Sequence, residues 1–331
     1  MNITIYDIAQ KCNVSIATVS RVLNGSSRVS EKTKKHILEV MQEMGYKPNP
    51  FARGLGLDSM KIVGVVCTDI SDIFYAHAVS LLEEGLRKHH FDVMLSNTGT
   101  DTGRNSKYIT DMAAKHVDAI ITIGTPFSSE ADIRQLCRIA EHTPIITINS
   151  DYHQPNMYSV VCNEKDGMRA VIHKLAERNY HSILYIYDSL TYSGRQKLSG
   201  IQAGLRELGL TASSQLLRQI PRTLKDAEAL IENLLSNNVY FDAIVTSEAV
   251  LAIGAQRAAR RCGRDIPVIG CNNSILAQCA TPTLTSLDNK LSSLCNAAVR
   301  IVMDLTSKAD LSVPVRTEFS AELVTRESFH A

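Results

Sequence analysis

A chain of 331 residues, 44% of them hydrophobic, has room for about two domains plus a small module and for a sizeable buried core. Its net charge of +1 removes any argument for nucleic acid from bulk composition, and eight cysteines without a Cys-x-x-Cys pair argue against a disulfide scaffold or a metal clip. There is no N-terminal apolar signal region and no apolar stretch of bilayer length, so a cytoplasmic protein with reduced core thiols and no membrane partner is expected.

The first sixty residues are unlike the rest. They hold eight basic and five acidic residues, a net of +3, whereas the remainder sums to −2, which suits phosphate contact at one end only. Thr4 can cap a first helix with Asp7 three residues on, and Ile5, Ile8, Ala9 and Cys12 then give one apolar face. Asn13 suits a left-handed turn. Ser15 caps a second helix with Val19 and Val22 inward and Ile16, Ala17, Ser20 and Arg21 outward. Small and hydroxyl side chains with one arginine suit a helix pressed into a DNA major groove, although an ordinary helical hairpin would read similarly over this stretch alone. Ser30 caps a third helix, Glu31 to Met44, that Gly45 ends.

The runs Thr-Ile-Tyr-Asp-Ile-Ala, Val-Ser-Ile-Ala-Thr-Val-Ser-Arg-Val-Leu-Asn-Gly, Gly-Tyr-Lys-Pro-Asn and Ala-Arg-Gly-Leu resemble the headpiece and hinge of the lactose-repressor (LacI/GalR) family of bacterial transcription regulators, and within it the catabolite control proteins. The resemblance implies a helix-turn-helix headpiece over 1–46, a hinge helix and linker over 47–59, and a homodimer on a pseudo-palindromic double-stranded operator. It assigns base contacts to Ile16, Ala17 and Arg21. Largely backbone-contacting roles fall to Thr4, Tyr6, Ser15, Thr18, Ser20, Asn24, Ser30 and Thr33, and Ile5, Asn49 and Ala52 complete the DNA-contacting set. Leu55 matches the leucine that wedges into the minor groove, a linker residue packed on the core being the alternative. Pro50 at a first helical position favours the hinge helix, while Gly54 and Gly56 oppose it, so a hinge ordered by DNA is expected.

From Lys61 the pattern turns to alternating strands and helices. Strands are expected at Ile62 to Cys67, Val93 to Leu95, Ala119 to Ile123, Ile145 to Ile148, Val160 to Cys162, Ile183 to Tyr187, Ala243 to Val245 and Val268 to Ile269, with amphipathic helices between. Such repetition predicts two doubly wound parallel units facing each other across a cleft.

The family resemblance spans essentially the whole chain, through Val-Asp-Ala-Ile-Ile, Ser-Val-Val-Cys-Asn, Pro-Val-Ile-Gly and Leu-Val-Thr-Arg-Glu-Ser. It implies an α/β periplasmic-binding-protein-like core over 60–331 with three crossovers, an N-lobe of about 60–160 plus 290–317 and a C-lobe of about 161–289 plus 318–331. Effector contacts are implied at Asp69, Ser71, Phe74, Tyr75, Asn97, Thr125, Arg195, Lys197, Glu248, Asn272 and Asn289. Phe74 reads equally as core, and Lys197 equally as a solvated surface lysine. Asn163, Ala249 and Asn272 stand where sugar-responsive relatives usually carry aspartate, and Lys197 where many carry arginine. That departure favours an acidic or phosphorylated metabolite held by Arg195 or Lys197 over a plain neutral sugar, with a protein corepressor such as a phosphocarrier also open.

The rival reading is a metabolic enzyme on a two-lobed α/β frame. The sequence has no Walker-type Gly-x-x-x-x-Gly-Lys loop, no Gly-x-Gly-x-x-Gly after the first strand, no Gly-x-Ser-x-Gly elbow and no His-Glu-x-x-His pair. His89 and His90 are adjacent and would point apart on a helix, so no metal site, cofactor or catalytic residue is expected.

Overall fold

A computed structural model describes residues 3–23, 28–46, 59–99, 105–124, 127, 129–210, 213–307 and 312–329. Asn24, Asn49, Ala52, Leu55 and Thr125, with hinge residues 47–58, lie outside the described residues.

The headpiece holds α1 (Ile5–Lys11), α2 (Ile16–Leu23) and α3 (Glu31–Glu43). Ile8, Val19 and Ile37, one from each helix, are completely buried together. Local chemistry sets each boundary. The Asp7 carboxylate accepts the Thr4 N–H and hydroxyl, both at 2.7 Å. Asn13 and Gly45 take positive φ, 53° and 64°, where the chain leaves α1 and α3. The Ser15 hydroxyl accepts the Thr18 N–H, and the Ser30 hydroxyl that of Thr33, both at 3.2 Å. Ser30→Ala therefore leaves an orphan amide at α3, and a headpiece destabilised by about 1 kcal/mol is expected in thermal melts followed by circular dichroism.

The first sheet is built from β1 (Ile62–Cys67), α4 (Ile73–Arg87), β2 (Asp92–Asn97), α5 (Asn105–Ala114), β3 (Ala119–Ile123), α6 (Glu130–Ala140), β4 (Ile145–Ile148) and β5 (Met157–Asn163). Strands β1, β3 and β4 are almost wholly buried, as expected when helices cover both faces of a parallel sheet. A second series follows: α7 (Glu164–Glu177), β6 (Ile183–Tyr187), α8 (Tyr192–Glu207), β7 (Leu217–Gln219), α9 (Leu224–Ser236), β8 (Ala243–Thr246), α10 (Ala249–Arg261), β9 (Val268–Cys271), α11 (Ile275–Cys279) and β10 (Thr285–Asp288). The chain then returns with α12 (Leu291–Thr306) and β11 (Arg316–Ser320) before ending on β12 (Glu322–Val324).

Strand order is β11-β5-β4-β3-β1-β2 in one sheet and β12-β10-β9-β8-β6-β7 in the other, and only β12 runs antiparallel to its neighbour. The chain crosses between lobes after β5, after β10 and between β11 and β12. Strands β5 and β11 stay in the first sheet to Asn163 and Ser320, so the expected boundaries at 160 and 317 each move three residues later. Helix α12 packs on the first sheet through Leu294, Ala298 and Val302, and Gly85 of α4 lets it approach: a Cβ there would stand 2.9 Å from Val299 Cγ2.

Of the expected core thiols, Cys12, Cys67, Cys162, Cys271 and Cys295 are buried, whereas Cys262 and Cys279 end helices at the surface and Cys137 is half-buried. No helix among the described residues is long and apolar enough to cross a membrane.

Candidate nucleic-acid interface and interlobe ligand site

On α2 the two valines that close the headpiece core force the opposite face outward. Ile16, Ala17 and Arg21 are exposed, Ile16 at 41%, and among the described residues Arg21 has no ion-pair partner. An aliphatic side chain that exposed, beside an unpaired guanidinium, is a surface with nothing of its own to contact. Hydroxyls fringe it: Ser15 and Thr18 lie 2.9 Å apart and Ser30 and Thr33 2.8 Å, each pair still holding donor capacity beyond its cap. Tyr6 is exposed, as Thr4 is, while Ile5, Thr33 and Ser20 are half-buried at the edge of the same headpiece.

Between the lobes, Phe74, Tyr75, Lys197, Glu248, Asn272 and Asn289 line one cavity of about 60 Å³. Phe74 and Tyr75 come from the start of α4, edge to face with centroids 5.4 Å apart. Burial raises the Tyr75 hydroxyl above its ordinary range, against a hydrogen bond to Thr68. Gly124, at φ +77°, gives that ring its room: a Cβ there would meet the Tyr75 oxygen at 2.8 Å.

The C-lobe half is a directional polar network. The Lys197 ammonium, only 3% exposed, donates to the Ser247 carbonyl at 3.1 Å and Asn272 Oδ1 at 3.2 Å, with Glu164 at 3.4 Å and Glu248 at 3.9 Å. Asn272 Nδ2 donates to Glu248 Oε2 at 2.7 Å, and Asn289 Nδ2 to Asn272 Oδ1 at 3.1 Å. Burial pushes the Glu248 carboxyl up to about 7 although Lys197 and Arg222 pull the other way. The same neighbours, Glu164 and Glu248, hold Lys197 protonated well above the usual lysine range despite its burial.

Four expected contacts are not brought to this cavity. Asp69 and Ser71 form the turn after β1, held by Asn97 at the end of β2: Asp69 Oδ1 accepts the Ser71 N–H at 2.9 Å and hydroxyl at 2.6 Å, and Asn97 Oδ1 accepts the Ile70 N–H at 3.2 Å. Arg195 is exposed and donates to the Leu190 carbonyl at 2.6 Å. Lys197 is no surface lysine, and its ammonium is already committed to acceptors of the protein. Neither Arg195 nor Lys197, the alternatives expected to hold an acidic or phosphorylated ligand, therefore offers an uncommitted cation to this cavity. Asn163 serves as the cap of α7, accepting the Asp166 N–H at 3.0 Å.

The description "Bacterial regulatory proteins, lacI family" matches residues 4–49, and "Periplasmic binding proteins and sugar binding domain of LacI family" matches residues 60–304. The chain belongs to the lacI family. It is a DNA-binding transcriptional regulator of that family, as are its relatives. An HTH-type transcriptional regulator of Lachnoclostridium phytofermentans is 41% identical over 98% of both chains, and catabolite control protein A of Priestia megaterium is 28% identical over 96% of this chain and 98% of that one. The fold is similar to the Lac repressor dimer bound to operator and the anti-inducer ONPF, with a TM-score of 0.87 at 21% identity over 99% of both chains.

The residues that sequence reasoning missed in this lacI-family cleft are those that join its two sides. Arg222, in the loop before α9, donates from Nη1 to Asp72 Oδ2 of the N-lobe at 2.7 Å and pairs from Nε with Asp188 of the C-lobe at 3.2 Å. Asp72 also caps α4 through its other oxygen, accepting the Phe74 N–H at 2.8 Å. Asn149 lines the cavity too, 4% exposed. Aspartate at a helix cap was a signal open to inspection; its use as an interlobe anchor was not.

Proposed function

We propose that this regulator is a repressor that binds a pseudo-palindromic operator as a homodimer and is switched by a small-molecule effector in the interlobe cleft. The observation that carries the reading is the outward face of α2, where Arg21 stands exposed, with no ion-pair partner among the described residues, beside Ile16 and Ala17. A guanidinium there can take the N7 and O6 edges of guanine, and the two aliphatic residues can meet thymine methyl groups. Leu55, outside the described residues, is assigned by family resemblance to the minor-groove wedge. The homodimer is supported by the solved Lac repressor dimer on its operator, and twofold protein symmetry suits a twofold site.

The cleft is supported as an effector site by its buried polar network and by the solved complex of the regulator CelR with cellobiose, to which the fold is similar at a TM-score of 0.71. A cavity of about 60 Å³ is far below the roughly 300–1,000 Å³ of small-molecule pockets, so the lobes must part or Arg222 must swing out for a ligand to enter. A ligand that prefers one lobe arrangement then biases the spacing of the hinges. The chain's work in this reading is cytoplasmic binding and switching, with no catalytic step.

Selection of bound duplexes from a random pool with the purified full-length protein tests the scheme. The expected product is a twofold-symmetric site occupied by two chains. Duplexes recovered without sequence preference, or a single chain per site at saturating protein, would count against it.

A further inference from the structure

The cleft is short of hydrogen-bond donors. Asn289 Oδ1 and Asn149 Oδ1 are buried, line the cavity, and have no hydrogen-bond partner among the described residues. The orientation of Asn289 is fixed by its neighbours. Lys197 can only donate, so Asn272 must offer it an oxygen; Asn272 then turns its amide N–H to Glu248, and Asn289 must donate to the same oxygen of Asn272. What Asn289 turns to the cavity is an acceptor. Charge points the same way, since the carboxylates of Asp72, Asp188 and Glu164, with the Glu248 carboxyl beside them, surround the site against Lys197 and Arg222 as the cations among the described residues. Arg222, moreover, is held by two ion pairs rather than packed away: it is 32% exposed at the seam, where it joins the Asp72 carboxylate of the N-lobe to the Asp188 carboxylate of the C-lobe.

Resting on the cleft reading above, we propose that the effector is an amino sugar, its hydroxyls donating to Asn149 and Asn289 and its ammonium taking the place of the Arg222 guanidinium between Asp72 and Asp188. The sugar frame follows from the sugar-binding family of residues 60–304 and from the Phe74 ring at the wall; the positive charge follows from the acceptor surplus. A phosphate or carboxylate would add negative charge to a site that already has more carboxylates than cations. In the unliganded protein Arg222 is a tethered stand-in for the ligand's ammonium, and the effector competes with it.

Titration calorimetry on the full-length protein tests this with three probes for each of the gluco, galacto and manno series: the 2-amino sugar, the neutral hexose and its 6-phosphate. The amine is expected to bind about tenfold more tightly than the neutral parent, the gain of a charge-assisted over a neutral hydrogen bond, and the phosphate more weakly than either. Asp188→Asn should shrink the amine's advantage to less than about threefold. Arg222→Gln should raise amine affinity by about tenfold, because two carboxylates lose their resident cation; damage to the fold would lower it instead. A neutral or phosphorylated probe that binds at least as well as its amine overturns the amino-sugar assignment and leaves the cleft as effector site. Silence from all three amines also overturns it. A probe that binds with an affinity untouched by both Asp188→Asn and Arg222→Gln removes the cleft reading itself.

Discussion

Arg21→Ala is expected to erase the regulator's preference for its operator while the headpiece stays folded. A bidentate arginine on guanine is worth about 1–3 kcal/mol of discrimination, and a dimer places two of them on one site, so the loss is about 2–6 kcal/mol, or thirtyfold upward in affinity. The substitution costs the headpiece less than about 0.5 kcal/mol, because Arg21 is exposed and its described surroundings hold no partner for it. Non-specific binding should fall only slightly, since Arg21 is one of eight basic residues in the first sixty. Fluorescence anisotropy against the selected operator and a scrambled duplex, at one stated salt concentration, separates the two effects. Retention of operator affinity within threefold would remove Arg21 from the reading surface.

Lys197→Met is expected to be the most damaging single change in the core. Methionine keeps all but the last atom of the side chain's length and removes the cation facing Glu164, 1% exposed, and Glu248, leaving two carboxyl groups in a dry site. Breaking a buried pair by removing one partner costs about 3–5 kcal/mol, a large part of the stability of an ordinary domain. Urea melts on the full chain measure it, and a loss below about 1 kcal/mol would show that the ammonium is dispensable.

The same melts taken between pH 5 and 8 carry a second signature. Glu248 is raised from an ordinary glutamate value of 4.5 to about 7, so between those values the folded protein holds a proton that the unfolded chain has released. Its contribution to stability is full below about 4.5 and is lost as the pH rises through 7. Glu248→Gln is expected to flatten the decline over that window, with the difference between variant and parent as the readout.

What was legible in the sequence was local. Thr4 with Asp7, Ser15, Asn13, Ser30 and Gly45 each act within four residues, and each stands in the structure as its chemistry dictates. Eight of the twelve described strands were visible for a similar reason, as apolar runs of the right length. The other four were not: β7 and β12 have three residues each, β10 reads Thr-Ser-Leu-Asp, and β11 alternates exposed and half-buried positions at a sheet edge.

The cleft resisted because its parts are far apart in the chain. Arg222 and Asp72 are separated by 150 positions, and Arg222 follows a proline in a loop with no periodicity to mark it. Lys197 left a trace that could have been followed. Gly194, Gly200, Ile201 and Gly204 share its face of α8, and a Cβ at Gly200 would lie 2.2 Å from the Lys165 carbonyl, so that face is pressed against α7. Glycines at that spacing mark close helix packing, and a lysine among them has no water to reach.

The three passages of the chain between its lobes have a consequence for biosynthesis. Helix α12 and strand β11 complete a sheet whose first strand starts at Ile62, so the earlier lobe lacks its cover until residue 320 has left the ribosome. The lobe translated first therefore waits for α12 and β11 until the second lobe has been synthesised through β10, and the apolar face that α12 covers stays open to aggregation over that interval.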